Sequence, residues 1–122
     1  MAVQEKPPRK SGIAHFFAAA GYSLGGLKRL AHESAFRQEL ALIVLLLGLA
    51  LFGASLPELM GALALGLVLI AVEALNTALE VLVDHLSPGW SQFAKDAKDL
   101  GSLAVACTIG ALLLYAGIVL IW

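Results

Sequence analysis

The sequence predicts an all-α membrane protein, with three transmembrane helices preceded by an N-terminal amphipathic helix at the membrane surface. Of its 122 residues, 60% are hydrophobic and only 14% are charged, and the mean hydropathy is +0.88. This composition lies outside the usual balance of a soluble domain. The apolar residues also form separate runs of the length, about 20 residues, that crosses a bilayer core. We therefore expect a single membrane domain over 12–122, behind a mobile basic tail at 1–11.

The first element is the predicted surface helix over 12–32. It mixes apolar side chains with Lys28, Arg29 and His32, a composition typical of an amphipathic helix lying in the membrane interface. A soluble cap on a helix bundle is the alternative. Three glycines weaken the helix and favour a bend or a break within it. They are Gly21, Gly25 and Gly26.

Three apolar segments follow, at about 34–54, 57–84 and 96–121, and each is predicted to span the membrane. A short turn ending at Pro57 separates the first two. Proline suits the first turn of a helix, because the N–H that it lacks would have no partner there anyway. The run Ser87-Pro88-Gly89-Trp90 breaks the chain between the second span and the third.

The positive charges predict the orientation of these spans. All 8 lysines and arginines lie either at or before Arg37, or at Lys95 and Lys98. With three crossings, both groups fall on the same side of the membrane. The positive-inside rule then places the N-terminus and the 85–98 loop in the cytoplasm and the C-terminus outside.

The second span carries a stripe of polar side chains. Their spacing of i, i+3, i+4, i+7 and i+11 puts them on one face of a helix. They are Glu73, Asn76, Thr77, Glu80 and Asp84. A carboxylate at the centre of a bilayer costs about 2.5–3.5 kcal/mol on the insertion scale, so these acids must face protein or water and mark a candidate site.

The depth of the stripe suggests what kind of site it is. Glu73 lies about 24 Å beyond Pro57 at about 1.5 Å per residue, in a hydrocarbon core about 30 Å thick. Glu73 is therefore expected near the cytoplasmic interface, with Glu80 and Asp84 at or beyond it. Charged side chains that flank the other two spans are expected at the same level. They are Glu33, Glu39, Lys95, Lys98 and Asp99.

Such a cluster has the parts for phosphoryl transfer to a membrane lipid. Paired carboxylates can hold Mg²⁺, a lysine can neutralise charge on the transferred group, and an interfacial carboxylate can take a proton from a hydroxyl. The sequence contains no GxxxxGK[ST] loop, kinase glycine loop or HRD segment, so a kinase of this sequence is not of a standard soluble type.

Two other classes of function remain open from the residues alone. The acids could be proton relays in a small proton-coupled transporter subunit, or glue between the subunits of a scaffold. Transporter sites tend to lie near the bilayer midplane between broken helices. A scaffold would not need this combination of acids and lysines at one level.

The motifs themselves resemble those of a known family. Glu73-Ala-Leu-Asn76-Thr77-Ala-Leu-Glu80 with Asp84, followed by Ala97-Lys98-Asp99-Leu-Gly101-Ser102, resembles the signature of the bacterial integral-membrane diacylglycerol kinases. The stretches Ala20-Gly21-Tyr22-Ser23 and Glu33-Ser-Ala-Phe36-Arg37-Gln38-Glu39 are similar to that family as well. The resemblance runs from about residue 12 to the end of the chain.

The resemblance implies a homotrimer in the bacterial inner membrane, with three transmembrane helices and a surface helix per subunit. It implies transfer of the γ-phosphate of MgATP to diacylglycerol, giving phosphatidic acid, at composite sites shared between subunits. The C-terminus would be periplasmic. No nucleic-acid partner is implied. Related enzymes phosphorylate undecaprenol, which is the alternative acceptor.

The resemblance also assigns roles to residues. It implies that Glu73 is the catalytic base and that Glu33 and Glu80 hold the metal. The implied ATP contacts are Tyr22, Glu33, Asn76, Glu80, Gly89, Trp90, Ser91, Lys98 and Asp99. The implied lipid-substrate contacts are His15, Ala19, Ala20, Gly21, Tyr22, Ser23, Ala35, Phe36, Arg37, Gln38, Glu39, Glu73 and Ser102. One departure is His15, which stands where the family pattern has a basic residue.

Overall fold

The computed structural model of the chain describes residues 3–9, 11–32 and 34–121, without the side chains at 34, 35, 38, 39, 45 and 49. Over these residues the fold is all-helical and contains no β-strand, as predicted. The helices are α1 (Gly12–Ala31), α2 (Ser34–Leu51), α3 (Leu56–Leu86) and α4 (Gln92–Ile121).

The start of α3 is fixed by a capping box. The Ser55 Oγ accepts a hydrogen bond from the Glu58 backbone N–H at 3.4 Å, and the Ser55 N–H donates to the Glu58 Oε2 at 3.1 Å. Each side chain thus pairs a backbone N–H that the helix itself leaves unpaired. Pro57 lies in the first turn, as predicted.

The predicted break in α1 does not occur. α1 is one continuous helix through Gly21, Gly25 and Gly26. A glycine inside a helix costs only about 1 kcal/mol relative to alanine and does not prevent helix formation. α1 contacts α2 and α3. Its buried residue is Leu30, which is 3% exposed.

α4 begins earlier than the predicted third span. It starts at Gln92, within the polar run that separates the two spans, because the Ser91 Oγ caps it by accepting a hydrogen bond from the Ala94 N–H at 3.4 Å. α3 likewise continues to Leu86. Both helices therefore extend past their apolar segments into polar sequence. The length of an apolar run predicts the membrane-spanning part of a helix and not its full length.

α3 and α4 form an antiparallel pair, with α2 packed beside them. The core cluster takes one buried residue from each helix, namely Ile43, Leu69 and Leu112. Half-buried apolar side chains surround these three. They are Leu46, Leu47, Leu65 and Ile109. The core is a narrow seam between helices.

Most of the apolar surface of α3 and α4 faces outward. Among the described residues, these two helices are long and apolar enough to cross a membrane, with hydropathies of 2.1 and 2.4 over the most apolar window of each. The core helix of a soluble protein passes the same test, but it is mostly buried. Here only 17% of the α3 window and 6% of the α4 window is buried. Hydrocarbon is therefore the solvent that suits both helices. The crossing by α2 stays a prediction.

Candidate functional site

Two glycines let α3 and α4 approach closely. A Cβ atom at Gly101 would collide with the Asn76 Oδ1, and one at Gly61 would collide with the Tyr115 hydroxyl. Because these contacts lie far apart along both helices, together they fix how the helices pair. The first of them turns Asn76, and with it the polar stripe, toward α4.

Burial falls steadily along the stripe toward the loop after α3. Glu73 is 5% exposed, Asn76 and Glu80 are half-buried, and Asp84 is exposed. This gradient agrees with the prediction that the five side chains share one face of α3. That face is buried in the middle of the helix and becomes exposed toward its C-terminal end. Glu73 therefore lies in dry surroundings, whereas the later members of the stripe can meet a water-soluble ligand.

Asn76 is the junction between the buried and exposed parts of the stripe. Its Nδ2 donates a hydrogen bond to the Glu80 Oε1 at 3.3 Å, which holds that carboxylate against α3. Its Oδ1 is shielded from solvent and has no hydrogen-bond partner within the described part of the chain. Buried polar atoms are nearly always paired, so this oxygen is an exception.

A cleft of about 460 Å³ opens where α3 turns into α4. Its lining comes from the end of α3, the turn and the first turns of α4. The lining residues are Asp84, Ser87, Pro88, Gly89, Trp90, Ser91, Ala94, Lys95, Lys98 and Asp99. All five of the implied ATP contacts from the turn and α4 are among them, so the structure brings these five together.

Ion pairs and hydroxyl contacts shape this cleft. The Lys98 Nζ lies 2.6 Å from the Asp84 Oδ1 across the two helices, and the Lys95 Nζ lies 2.6 Å from the Asp99 Oδ2 within α4. In the turn, the Ser87 Oγ donates to the Gly89 carbonyl oxygen at 2.9 Å and lies 2.7 Å from the Ser91 Oγ. Trp90 is left 79% exposed at the rim.

The implied contacts on α1 lie along a different surface. His15 and Tyr22 border a groove that the basic tail lines from its other side. The remaining members are exposed along the same helix, which is the case for Ala19, Ala20, Gly21 and Ser23. The structure does not place these residues in the lining of the α3–α4 cleft of the same chain.

The implied contacts on α2 are described only in part. Phe36 is buried, at 4% exposure, and Arg37 is exposed. Glu33 and the side chains of Ala35, Gln38 and Glu39 lie outside the described residues. Ser102, the implied substrate contact on α4, is exposed beside Gly101.

Oxygen donors near the cleft fit a hard divalent cation such as Mg²⁺, which commonly binds one or two carboxylates plus substrate phosphates. Glu80 supplies a half-buried carboxylate. The described residues contain no group of three or more acids, histidines or cysteines that could hold a metal alone. Glu33, the other metal ligand that the resemblance implies, lies outside the described residues.

The sequence predicts no role for Asp84 or Lys95, although Asp84 belongs to the polar stripe and Lys95 is a charge at the expected depth. Both line the cleft. The spacing held a usable signal, because helices joined by a tight turn run antiparallel and bring residues on either side of the turn together. Asp84 and Lys98 flank the turn in this way.

Comparisons with known proteins agree with the motifs. The profile of the family described as prokaryotic diacylglycerol kinase matches residues 21–120, so His15, Ala19 and Ala20 lie ahead of the match. A diacylglycerol kinase of Sinorhizobium sp. is 46% identical over 115 residues, covering 93% of this chain and 84% of the relative. Diacylglycerol kinases of Pseudomonas aeruginosa and Escherichia coli are 39% and 33% identical, over 82% and 81% of this chain and 85% and 83% of theirs. This chain therefore belongs to the prokaryotic diacylglycerol kinase family, a family of enzymes that are kinases.

Proposed function

We propose that this protein transfers the γ-phosphate of MgATP to diacylglycerol, giving phosphatidic acid, at the cytoplasmic surface of the bacterial inner membrane. The observation that carries the proposal is the junction of α3 and α4. There the buried carboxylate of Glu73 lies on the same face of α3 as Asp84, which lines a polar cleft together with Lys98 and Asp99. Family membership supports the same activity.

The cleft suits a nucleotide. Lys98 and Lys95 supply positive charge for phosphate oxygens, and the exposed ring of Trp90 offers a surface on which a base can stack. Asn76 and Glu80 lie on the adjoining stretch of α3. We assign MgATP to this region, with Glu80 and Glu33 as metal ligands. The metal would shield the charge of the phosphates.

Glu73 suits the role of general base. It accepts the proton of the lipid hydroxyl as the hydroxyl oxygen attacks the γ-phosphorus, and the bond from that phosphorus to the bridging oxygen of ADP breaks. The low exposure of Glu73 excludes water from the carboxylate, which limits the competing transfer of phosphate to water. Lys98 binds the phosphates of the nucleotide and neutralises part of their charge.

We further propose a homotrimer with three transmembrane helices per subunit, a cytoplasmic N-terminus and a periplasmic C-terminus. In this assembly the sites are shared between subunits. His15 and Tyr22, two of the implied contacts on α1, line a groove other than the α3–α4 cleft of their own chain. A neighbouring subunit is a natural source of those contacts.

One assay tests the activity and the acceptor together. Purified full-length protein in lipid vesicles receives γ-labelled ATP, Mg²⁺ and either diacylglycerol or undecaprenol. We expect labelled phosphatidic acid as the main product. Label on undecaprenol alone would reassign the acceptor. The absence of labelled lipid from both reactions would remove the kinase proposal, and proton flux into the same vesicles would then favour a transporter.

A further inference from the structure

An ion pair joins the end of α3 to the start of α4. The Lys98 Nζ lies 2.6 Å from the Asp84 Oδ1, and the side chains are 44% and 64% exposed. Both residues line the α3–α4 cleft. Asp84 has no role in the proposed reaction so far, because it neither ligates the metal nor acts as the base.

This pair is poorly suited to a purely stabilising role. Exposed ion pairs add little to stability, since water competes for both charges and salt screens them. The two helices are already joined by the short turn at 87–91 and by the contact between Gly101 and Asn76. The main effect of the ion pair is therefore on the positions of the two charged groups and not on stability.

Lys98 carries its ammonium on a flexible stem of four carbons. The ammonium has three donors, and the contact with Asp84 occupies one of them, which leaves two for phosphate oxygens. A free lysine loses its rotamer freedom when it binds phosphate, and that loss weakens binding. A lysine already held by a carboxylate has lost much of that freedom beforehand.

We propose that Asp84 is a positioning residue that draws the Lys98 ammonium across the mouth of the α3–α4 cleft and holds it there for the nucleotide phosphates. This inference rests on the proposed function. The second ion pair of the cleft differs in kind, because Lys95 and Asp99 are both on α4 and hold each other along one helix. Of these two ion pairs, the one with Asp84 fixes a cation relative to both helices.

The test is the steady-state kinetics of Asp84→Asn in full-length protein in vesicles. We expect the KM for MgATP to rise about fivefold, which is the scale of ordering one long side chain, with kcat at saturating MgATP within about twofold of wild type. A merely structural role would reduce the active fraction, and hence the maximal rate, without moving KM. Asp84→Glu keeps the charge and should bring KM back to within about twofold of wild type.

Asp96→Asn is the matched control. It also removes one exposed acid near the start of α4, but Asp96 accepts a hydrogen bond from Gln92 at 2.8 Å and does not line the cleft. Its KM should match wild type. Removing a negative charge near phosphates would by itself lower KM, so an unchanged or lower KM in Asp84→Asn overturns the inference. An equal rise in Asp96→Asn, or loss of assembly in Asp84→Asn, overturns it too. If the wild type makes no phosphorylated lipid, the proposed function itself fails.

Discussion

At both ends of the α3–α4 pair a polar side chain packs over a glycine of the other helix, but the hydrogen bonding of that side chain differs between the two ends. At the end away from the turn, the Tyr115 ring covers Gly61, and its hydroxyl donates a hydrogen bond to the Glu58 carbonyl oxygen at 2.7 Å. At the turn end, the Asn76 amide covers Gly101, and its Oδ1 finds no partner among the residues that the structure describes. The Tyr115 hydroxyl is therefore hydrogen-bonded, whereas the Asn76 Oδ1 is not, within the described part of the chain.

The difference separates structure from function within one helix pair. Leaving a buried polar atom unpaired costs about 1–3 kcal/mol, so natural proteins tolerate such atoms chiefly where a ligand or a reaction needs them. The turn end also holds the buried carboxylate of Glu73 and the cleft with its ion pairs. We infer that the Tyr115 end secures the pair and that the Asn76 end binds substrates.

The largest expected effect comes from Glu73→Gln, which keeps the shape of the side chain and removes its basicity. Turnover should fall by at least about 100-fold, the lower limit for losing a general base, while the protein still assembles. Transfer of labelled phosphate to lipid measures the first, and size-exclusion chromatography measures the second. Near-normal turnover would exclude Glu73 as the base and would weaken the functional reading of the turn end.

The two glycines test the comparison directly. Gly101→Ala inserts a methyl group into Asn76, and Gly61→Ala inserts one into Tyr115. Overpacking of this kind costs about 1–3 kcal/mol in either place. We expect both variants to unfold more readily, but only Gly101→Ala should lose about tenfold or more in kcat per assembled protein, because a shift of about 1 Å in a catalytic group costs up to about 100-fold.

Gly53→Ala is the control for this pair, since a Cβ atom there meets open space and Gly53 lies in the turn before α3. It should match wild type in unfolding and in turnover. Equal losses of kcat in Gly61→Ala and Gly101→Ala would contradict the division of the helix pair into a securing end and a binding end.

Much of this arrangement could be predicted from the sequence, because it follows from local rules. The apolar runs predicted α2, α3 and α4. The i, i+3, i+4 spacing predicted the polar stripe, whose burial falls from Glu73 to Asp84. Ser55 and Glu58 also have the spacing of a capping box, a local signal that was not among the predictions. The continuity of α1 through its glycines was not, because the cost of a glycine in a helix, about 1 kcal/mol relative to alanine, is too small to decide by itself whether the helix breaks.

The contacts between helices needed the structure. Whether Asn76 meets Gly101 depends on the rotation of α3 against α4, which no spacing within one helix specifies. The pairing of Lys98 with Asp84 rather than with Glu80 depends on the path of the turn at 87–91. The spacing of polar residues along one helix could therefore be predicted, whereas the atoms that meet across α3 and α4 depend on the rotation of the helices and on the path of the turn.

The smallest expected effect comes from Tyr115→Phe, which sharpens the comparison from the securing end. The variant keeps the ring over Gly61 and removes the hydrogen bond to the Glu58 carbonyl oxygen. Losing one such bond should lower the free energy of unfolding by about 0.5–1.5 kcal/mol. Unfolding in graded denaturing detergent measures this loss. If the Tyr115 end only secures the helices, then kcat and the KM for MgATP per assembled protein stay at wild-type values. The Tyr115 hydroxyl is hydrogen-bonded to the first turn of α3 and lies far along both helices from Lys98. A change in the KM for MgATP would therefore mean that the Tyr115 end affects nucleotide binding in the cleft.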